Sequence, residues 1–336
     1  MRRPRVFATR IVPEEGLALI RAAADLEVWQ HQLPPPREEI IRPVRECDGL
    51  LSLLTDRIDA EIMDAAPSLR IISNYAVGYD NIDLAAATQR GILVCNTPGV
   101  LTEATADLAW ALLMASARHI VQADRYVRDG KWKTWEPMLF LGYDVFGATL
   151  GLVGLGRIGK AMAQRAKGFA MRVLYFDPLR DPAAEKELGV HFVPLDTLLR
   201  ESDFVSIHAP LTPETRHLIN AERLAMMKSS AILINAARGP IVDEGALIEA
   251  LKNRTIAGAA LDVAEVEPLG ADSPLLQLDN VTVVPHIGSA TFTARKRMAV
   301  IAAENLVAAL KGDRPQYLVN PEALQTAPWK TRSRPY

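Results

Sequence analysis

Short apolar runs along this chain alternate with longer stretches in which apolar residues recur every three or four positions. The runs RVFAT, LEVWQ, GLLSLL and RIISNY come first, with helical patterns such as EEGLALIRAAA between them. Runs of this length rich in β-branched residues and leucine predict strands, and strands alternating with helix-length segments predict parallel sheets joined by crossover helices. A second series starts at ATLGLVG and continues through MRVLYF, DFVSIHA, AILINA, IAGAALD and VTVVP. Between the two series lies TEATADLAWALLMASARHIVQADRYVRDG, whose acidic start, apolar periodicity and terminal Asp-Gly predict one long helix linking the two halves. After Gly288 the pattern ARKRMAVIAAENLVAALKG predicts another helix, ending at Gly312 and packing back on the first half. The expected fold class is therefore α/β with two successive sheets. No repeat of solenoid period and no low-complexity block interrupts it, and only the tail APWKTRSRPY reads as loosely held.

Length and charge narrow the partners. A chain of 336 residues exceeds one comfortable core, which agrees with two domains. A formal charge of -2 gives no global reason to bind nucleic acid or an anionic membrane, so small neutral or anionic molecules remain. The basic start MRRPRVFATRIVPEEG lacks a following apolar segment, and the most apolar stretch, LAWALLMASA, stops at Arg118 and His119. Two cysteines, Cys47 and Cys95, have no metal-ligand spacing and cannot build a disulfide framework, which points to space-filling roles in a reducing, cytoplasmic setting.

The most specific motif is the loop Gly154-Leu155-Gly156-Arg157-Ile158-Gly159. It follows an apolar strand and opens a helix, where glycines permit a tight turn and close backbone approach to a pyrophosphate at the helix N-terminus. The same spacing also occurs in turns where glycine serves packing alone. Here the next strand ends at Asp177, about twenty residues on, where a carboxylate would accept hydrogen bonds from ribose hydroxyls and repel a 2'-phosphate. NAD is thus expected over NADP, with NADH preferred. Arg180, three residues later, opposes that expectation, because an arginine there could offset the repulsion.

Three charged groups sit just past strands of the second series: Arg238 after AILINAA, Glu267 after GAALDVAEV and His286 after VTVVP. Taken singly, each reads as a solvated charge or a turn residue. Taken together they form an arginine, a carboxylate and a histidine on the sheet edge that also carries the glycine loop, where open α/β sheets bind their ligands.

The segments GLVGLGRIG, INAARGPIVDEGALIEAL, AGAALDVAEVEPL and VVPHIGSAT resemble, in order and across almost the whole chain, the signatures of the D-2-hydroxyacid dehydrogenase family. The resemblance implies a Rossmann nucleotide-binding domain, residues 101–288, inserted into a flavodoxin-like substrate domain, residues 1–100 and 289–336. It also implies an active site in the cleft between them and a homodimer held by the nucleotide-binding domains and the helix after Thr102. On this resemblance Arg238 anchors the substrate carboxylate and polarises its carbonyl, a task suited to a guanidinium fork. His286 gives a proton to the carbonyl oxygen, and Glu267 holds the other ring nitrogen, fixing the tautomer and stabilising the imidazolium. Asp262 and the backbone of Ala236 are expected at the nicotinamide, and the N–H groups of Val77 and Gly78, in NYAVGYDNID, at the substrate carboxylate.

Within the family, NYAVGYDNID, NTPGVLTEATADLAWALL and MLFLGYDVFGATLGLVGLGRIG are most similar to the glyoxylate and hydroxypyruvate reductases. The phosphite-oxidising branch carries lysine where this chain has Ala76, and formate dehydrogenases pair their histidine with glutamine rather than Glu267. Several reductases of the branch replace the acid found here as Asp177 and use NADPH. Corepressors of the carboxyl-terminal-binding-protein type share the fold and the Arg/Glu/His set and act as NAD-responsive scaffolds, the alternative to an enzyme. In the resembled reductases a tryptophan at the place of Trp135 reaches the partner subunit's active site; if Trp135 does so, Leu53 is expected to close the opposite side of the pocket, while a surface aromatic covering a domain edge is the plainer role for Trp135.

Overall fold

The computed structural model describes residues 2–326 and Trp329. The chain divides into two compact units, Met1–Leu101 with Ala290–Tyr336, and Thr102–Ser289. Of the tail APWKTRSRPY, only Trp329 is described, and it is buried; the rest lies outside the described residues.

The first unit holds five parallel strands, β1 (Arg5–Ala8), β2 (Asp25–Val28), β3 (Gly49–Ser52), β4 (Ile71–Asn74) and β5 (Leu93–Cys95), in the order β2-β1-β3-β4-β5. That is the flavodoxin-like order, whose direction of winding reverses between β1 and β3. β3 and β4 are buried at every position, as strands covered on both faces must be. One face meets the helices Glu14–Ala23 and Phe292–Lys311. They approach so closely that a Cβ at Gly16 would lie 2.4 Å from the carbonyl oxygen of Ala299. The opposite face packs Phe7, Leu50 and Ile72 against Ile40, Val44 and Ile62. The helix Phe292–Lys311 starts where the Thr291 side chain accepts the N–H of Ala294 and stops at Gly312, whose φ of 87° supplies the left-handed cap.

The second unit holds seven parallel strands: β6 (Thr149–Val153), β7 (Arg172–Phe176), β8 (His191–Phe192), β9 (Phe204–Ile207), β10 (Ile232–Asn235), β11 (Gly258–Leu261) and β12 (Val281–Val283). Their order, β12-β11-β10-β9-β6-β7-β8, is the doubly wound Rossmann arrangement with one added edge strand, and its switch point lies between β6 and β9. The chain is thus a two-domain α/β protein of the expected class. Two strands escape sequence patterning for a physical reason: β5 has three residues, and β8 is a two-residue, exposed edge piece.

The expected single long helix after residue 101 is two helices, Thr102–Ala117 and Ile120–Arg128. The break falls at His119, whose φ of 52° is left-handed. Tyr143 N–H donates to the carbonyl of Ala117 at 2.9 Å, and Gly142 lies so close to that carbonyl that an added Cβ would sit 2.2 Å from its oxygen. A distant segment thus takes the acceptor that a continuing helix would use. The first helix is buried within this unit, its Ala106, Ala109, Leu112 and Leu113 packing with Leu150, Leu152 and Met162.

Candidate active site

Each glycine of the loop after β6 answers to a different constraint. Gly154 has φ 98°, and a Cβ there would come 2.8 Å from the carbonyl carbon of His208. A Cβ on Gly159 would come 2.3 Å from the carbonyl oxygen of Gly154, so this glycine lets the helix Arg157–Lys167 close onto the strand. At Gly156, the N-cap, nothing stands within 4 Å and no side chain caps the helix. Leu155, Arg157 and Ile158 complete the turn, with the first-turn N–H groups at its open end. Open space over uncapped donors is the cradle a pyrophosphate requires, so this chain's residues fit a dinucleotide.

Asp177 follows β7. One carboxylate oxygen accepts the N–H of Leu155 at 2.9 Å and the other the N–H of Leu179 at 3.1 Å, which fixes the carboxylate against the glycine loop. Each oxygen keeps a further lone pair for a ribose hydroxyl. Arg180 is not loose: its Nε and Nη2 both donate to Glu185, each at 2.8 Å.

The charged residues stand on consecutive strand ends of the same sheet. After β10, buried Asn235 accepts the N–H of Ala237 at 3.1 Å and donates to the carbonyl of Arg238 at 2.9 Å, clamping the turn from Ala236 to Arg238. Gly239 then lies against the segment after β11, where a Cβ would come 1.8 Å from the carbonyl oxygen of Ala264. Only glycine lets these two loops meet. The segment folds back on itself as Glu267 Oε1 accepts the N–H of Ala264 at 3.2 Å, and Glu267 Oε2 lies 2.8 Å from Nδ1 of His286. With Nδ1 facing Glu267, Nε2 is the ring nitrogen left for chemistry.

His286 has a left-handed backbone, φ 53°, an uncommon conformation that persists only where the surroundings impose it. Asp262 imposes it. Its carbonyl accepts the N–H of His286 at 2.9 Å, and its carboxylate accepts the N–H groups of Ile287 at 2.6 Å and Gly288 at 2.8 Å. Burial raises the pKa of Asp262, and these two N–H groups oppose the rise. Sequence reasoning placed Asp262 at a ligand; the structure gives its carboxylate the further work of shaping the histidine loop.

In the first unit, the carbonyl of Val77 accepts from Asn96 Nδ2 at 2.7 Å and that of Gly78 from Asn74 Nδ2 at 2.9 Å, which fixes the loop after β4 through its carbonyls. Leu53, after β3, is held by buried Asp56, which accepts its N–H at 2.7 Å, and by Asn81, which donates to its carbonyl at 3.0 Å. Trp135 lies in the irregular segment after the helix Ile120–Arg128 and is 79% exposed.

Glu265 and His217 were not singled out from the sequence. Glu265 Oε1 lies 2.6 Å from His217 Nε2, and Oε2 accepts the N–H of Glu244, the first residue of the helix Glu244–Lys252, at 3.2 Å. Glu265 N–H in turn donates to Glu244 Oε2 at 3.0 Å. The node ties the loop carrying Glu267 to two neighbouring segments. The available signal was a second acid two residues before Glu267 on the same strand-end loop.

A model of the D-isomer specific 2-hydroxyacid dehydrogenase, NAD binding domain, matches residues 110–288. The chain is 58% identical over 327 residues to a glyoxylate reductase of Korarchaeum cryptofilum, covering 97% of this chain and 98% of that one. A solved protein of Thermus thermophilus superposes with a TM-score of 0.89 at 50% identity, over 94% of this chain and 99% of the other. An NADPH-dependent glyoxylate/hydroxypyruvate reductase of Sinorhizobium meliloti, solved with NADP and malonate, gives 0.83 at 33% identity over 96% and 98%. The family's domain covers the Rossmann sheet with the glycine loop, Asp177, Arg238, Asp262, Glu267 and His286, and full-length relatives extend the likeness through both sheets: the chain belongs to the D-isomer specific 2-hydroxyacid dehydrogenase family and carries its NAD-binding domain.

Proposed function

We propose that this chain reduces small 2-oxo acids, glyoxylate and hydroxypyruvate, to the corresponding D-2-hydroxy acids, with NADH preferred over NADPH. The observation that carries the reading is the 2.8 Å contact between Glu267 and Nδ1 of His286, which orients Nε2 as the proton donor. A nicotinamide held at this site would supply hydride to the carbonyl carbon. Arg238 binds the substrate carboxylate and polarises the carbonyl. His286 releases its Nε2 proton to the carbonyl oxygen while Nδ1–H stays with Glu267. Val77 and Gly78 offer N–H groups to the carboxylate, with the first unit as substrate domain. Asp262 and Ala236 stand at the nicotinamide, and the glycine loop and Asp177 hold the adenine half. The acid at 177, together with the commitment of Arg180 to Glu185, supports the preference for NADH.

The same reading makes the chain a homodimer in a reducing cytoplasm. Apolar side chains exposed between residues 132 and 146 support the first part. Two buried, unpaired cysteines support the second, Cys47 with its pKa pushed up to about 12 by burial and Cys95 pushed up as well. Among the described residues no helix is long and apolar enough to cross a membrane.

Turnover of NADH with glyoxylate tests the function, since a scaffold of the corepressor kind turns over slowly. His286→Asn is expected to lower kcat by about a hundredfold or more. Arg238→Ala should raise KM as well as lower kcat, because it removes the carboxylate anchor. NADH binding, followed by fluorescence, should survive both changes. A His286→Asn protein with near-normal kcat on glyoxylate would remove the proton-donor assignment.

A further inference from the structure

The loop after β7 carries one arginine next to the carboxylate that faces the adenosine ribose, and the structure shows what that arginine is doing. Both Nε and Nη2 of Arg180 donate to Glu185 at 2.8 Å, a fork-on-carboxylate pair, and its guanidinium carbon lies 5.8 Å from the centre of the Phe192 ring on β8. Glu185 is itself anchored. The hydroxyl of Tyr175, a fully buried residue of β7 two positions before Asp177, donates to Glu185 Oε1 at 2.9 Å and accepts the N–H of Asp181 at 2.9 Å. Glu185 belongs to the helix Pro182–Leu188, capped by Asp181, which also pairs with Lys160 at 2.7 Å. Arg180 and Lys160 are therefore each matched by an acid on the loop or its helix. The Arg180 guanidinium holds the Glu185 carboxyl at about 2, so it is ionised throughout the working pH range.

A 2'-phosphate on the ribose would meet Asp177 as a like charge and would need a cation nearby to be accepted. We propose that Glu185 is a determinant of cofactor choice: it sequesters Arg180, the arginine three residues beyond Asp177, and so withholds the guanidinium that would receive a 2'-phosphate. This rests on the preference for NADH proposed above. Asp177 supplies the repulsion and Glu185 denies the compensation, so selectivity against the phosphorylated cofactor is built from two acids. Because the Arg180 pair is more than half exposed on one side, its hold is modest and releasing it should have a measured, not unlimited, effect.

The test is a double-mutant cycle read as the ratio of kcat/KM with NADPH to that with NADH, using glyoxylate. Glu185→Gln keeps an oxygen for the Tyr175 hydroxyl and removes the charge that holds Arg180, and it should raise the ratio by about fivefold, the scale of one exposed charge contact. Arg180→Ala alone should leave the ratio within about twofold of wild type. The double variant should match Arg180→Ala, because the gain travels through the guanidinium. Glu185→Ala, compared at matched Tm, guards against a local unfolding effect. An unchanged ratio in both Glu185 variants, or a gain that persists in the double variant, overturns the proposal. A wild-type ratio above one overturns the NADH preference instead, and that result is read from the unaltered protein alone.

Discussion

His208 and His286 both follow parallel strands of one sheet, and their surroundings give them opposite chemistry. His286 faces Glu267 through Nδ1 and keeps one edge accessible. His208, after β9, shares a 2.9 Å contact between Nε2 and the Ser206 hydroxyl, while its Nδ1 is sealed from solvent with no partner. Burial pushes its pKa down to about 4. The direction of the stability effect follows. In the unfolded chain this histidine takes up a proton near pH 6.5, and in the folded chain only near 4. Above pH 6.5 both forms are neutral and nothing changes; as pH falls from 6.5 towards 4 the unfolded state binds a proton the folded state refuses, and stability is lost. At pH 5 that amounts to about 2 kcal/mol. Thermal unfolding of the cofactor-free protein should show a lower Tm at pH 5 than at pH 7, and His208→Gln should recover part of the difference. An equal loss in that variant would assign the acid sensitivity to other groups. From the sequence only His286 stood out, with the carboxylate of Glu267 nineteen residues before it; His208, at the end of the run DFVSIHA, was not singled out, because its meeting only a hydroxyl depends on packing under the glycine loop.

At the scale of elements, the site is made where strand-end loops are allowed to touch. Gly239 lies against the backbone of Ala264 and Glu265, and Glu265 bridges to His217 and to the helix beginning at Glu244. Glu267 rides on that same short segment, so its contact with His286 depends on this scaffold. Glu265→Ala should therefore lower kcat/KM on glyoxylate by about tenfold, the cost of a small misplacement of reacting groups, while leaving NADH binding in place. Glu265→Gln, which keeps an acceptor oxygen, should recover most of the loss. Steady-state kinetics of the two variants at matched Tm decides it: full activity in Glu265→Ala would reduce the node to packing. The alternation of strands and helices was legible from the sequence because buried parallel strands are continuous apolar runs, and the glycine loop because its spacing follows one of them. The break at His119 was not legible, since the periodicity of apolar residues runs on while Tyr143 and Gly142 take over the carbonyl of Ala117. Short edge strands such as β8 carry too few residues to form a pattern at all.

For the whole molecule, the surface between residues 132 and 146 is the feature a solitary chain explains least well. Trp132, Trp135, Met138, Leu141 and Phe146 are each at least 60% exposed, close together in sequence and all in the second unit. Soluble monomers rarely display so much apolar side chain in one stretch, and the proposed homodimer would cover it. If Trp135 extends from one protomer to the substrate pocket of its partner, with Leu53 closing the other side, the pocket suits glyoxylate and hydroxypyruvate and rejects bulky 2-oxo acids by steric conflict. Trp135→Ala should then raise kcat/KM for phenylpyruvate relative to glyoxylate by about tenfold, the discrimination available from removing apolar bulk in a pocket. Overall activity will fall too if the substitution loosens the dimer, so the ratio is measured on protein whose oligomeric state has been checked by sedimentation at the assay concentration. An unchanged ratio in an intact dimer returns Trp135 to a surface aromatic covering a domain edge, and a wild-type protein that sediments as a monomer removes the dimer and the shared pocket together.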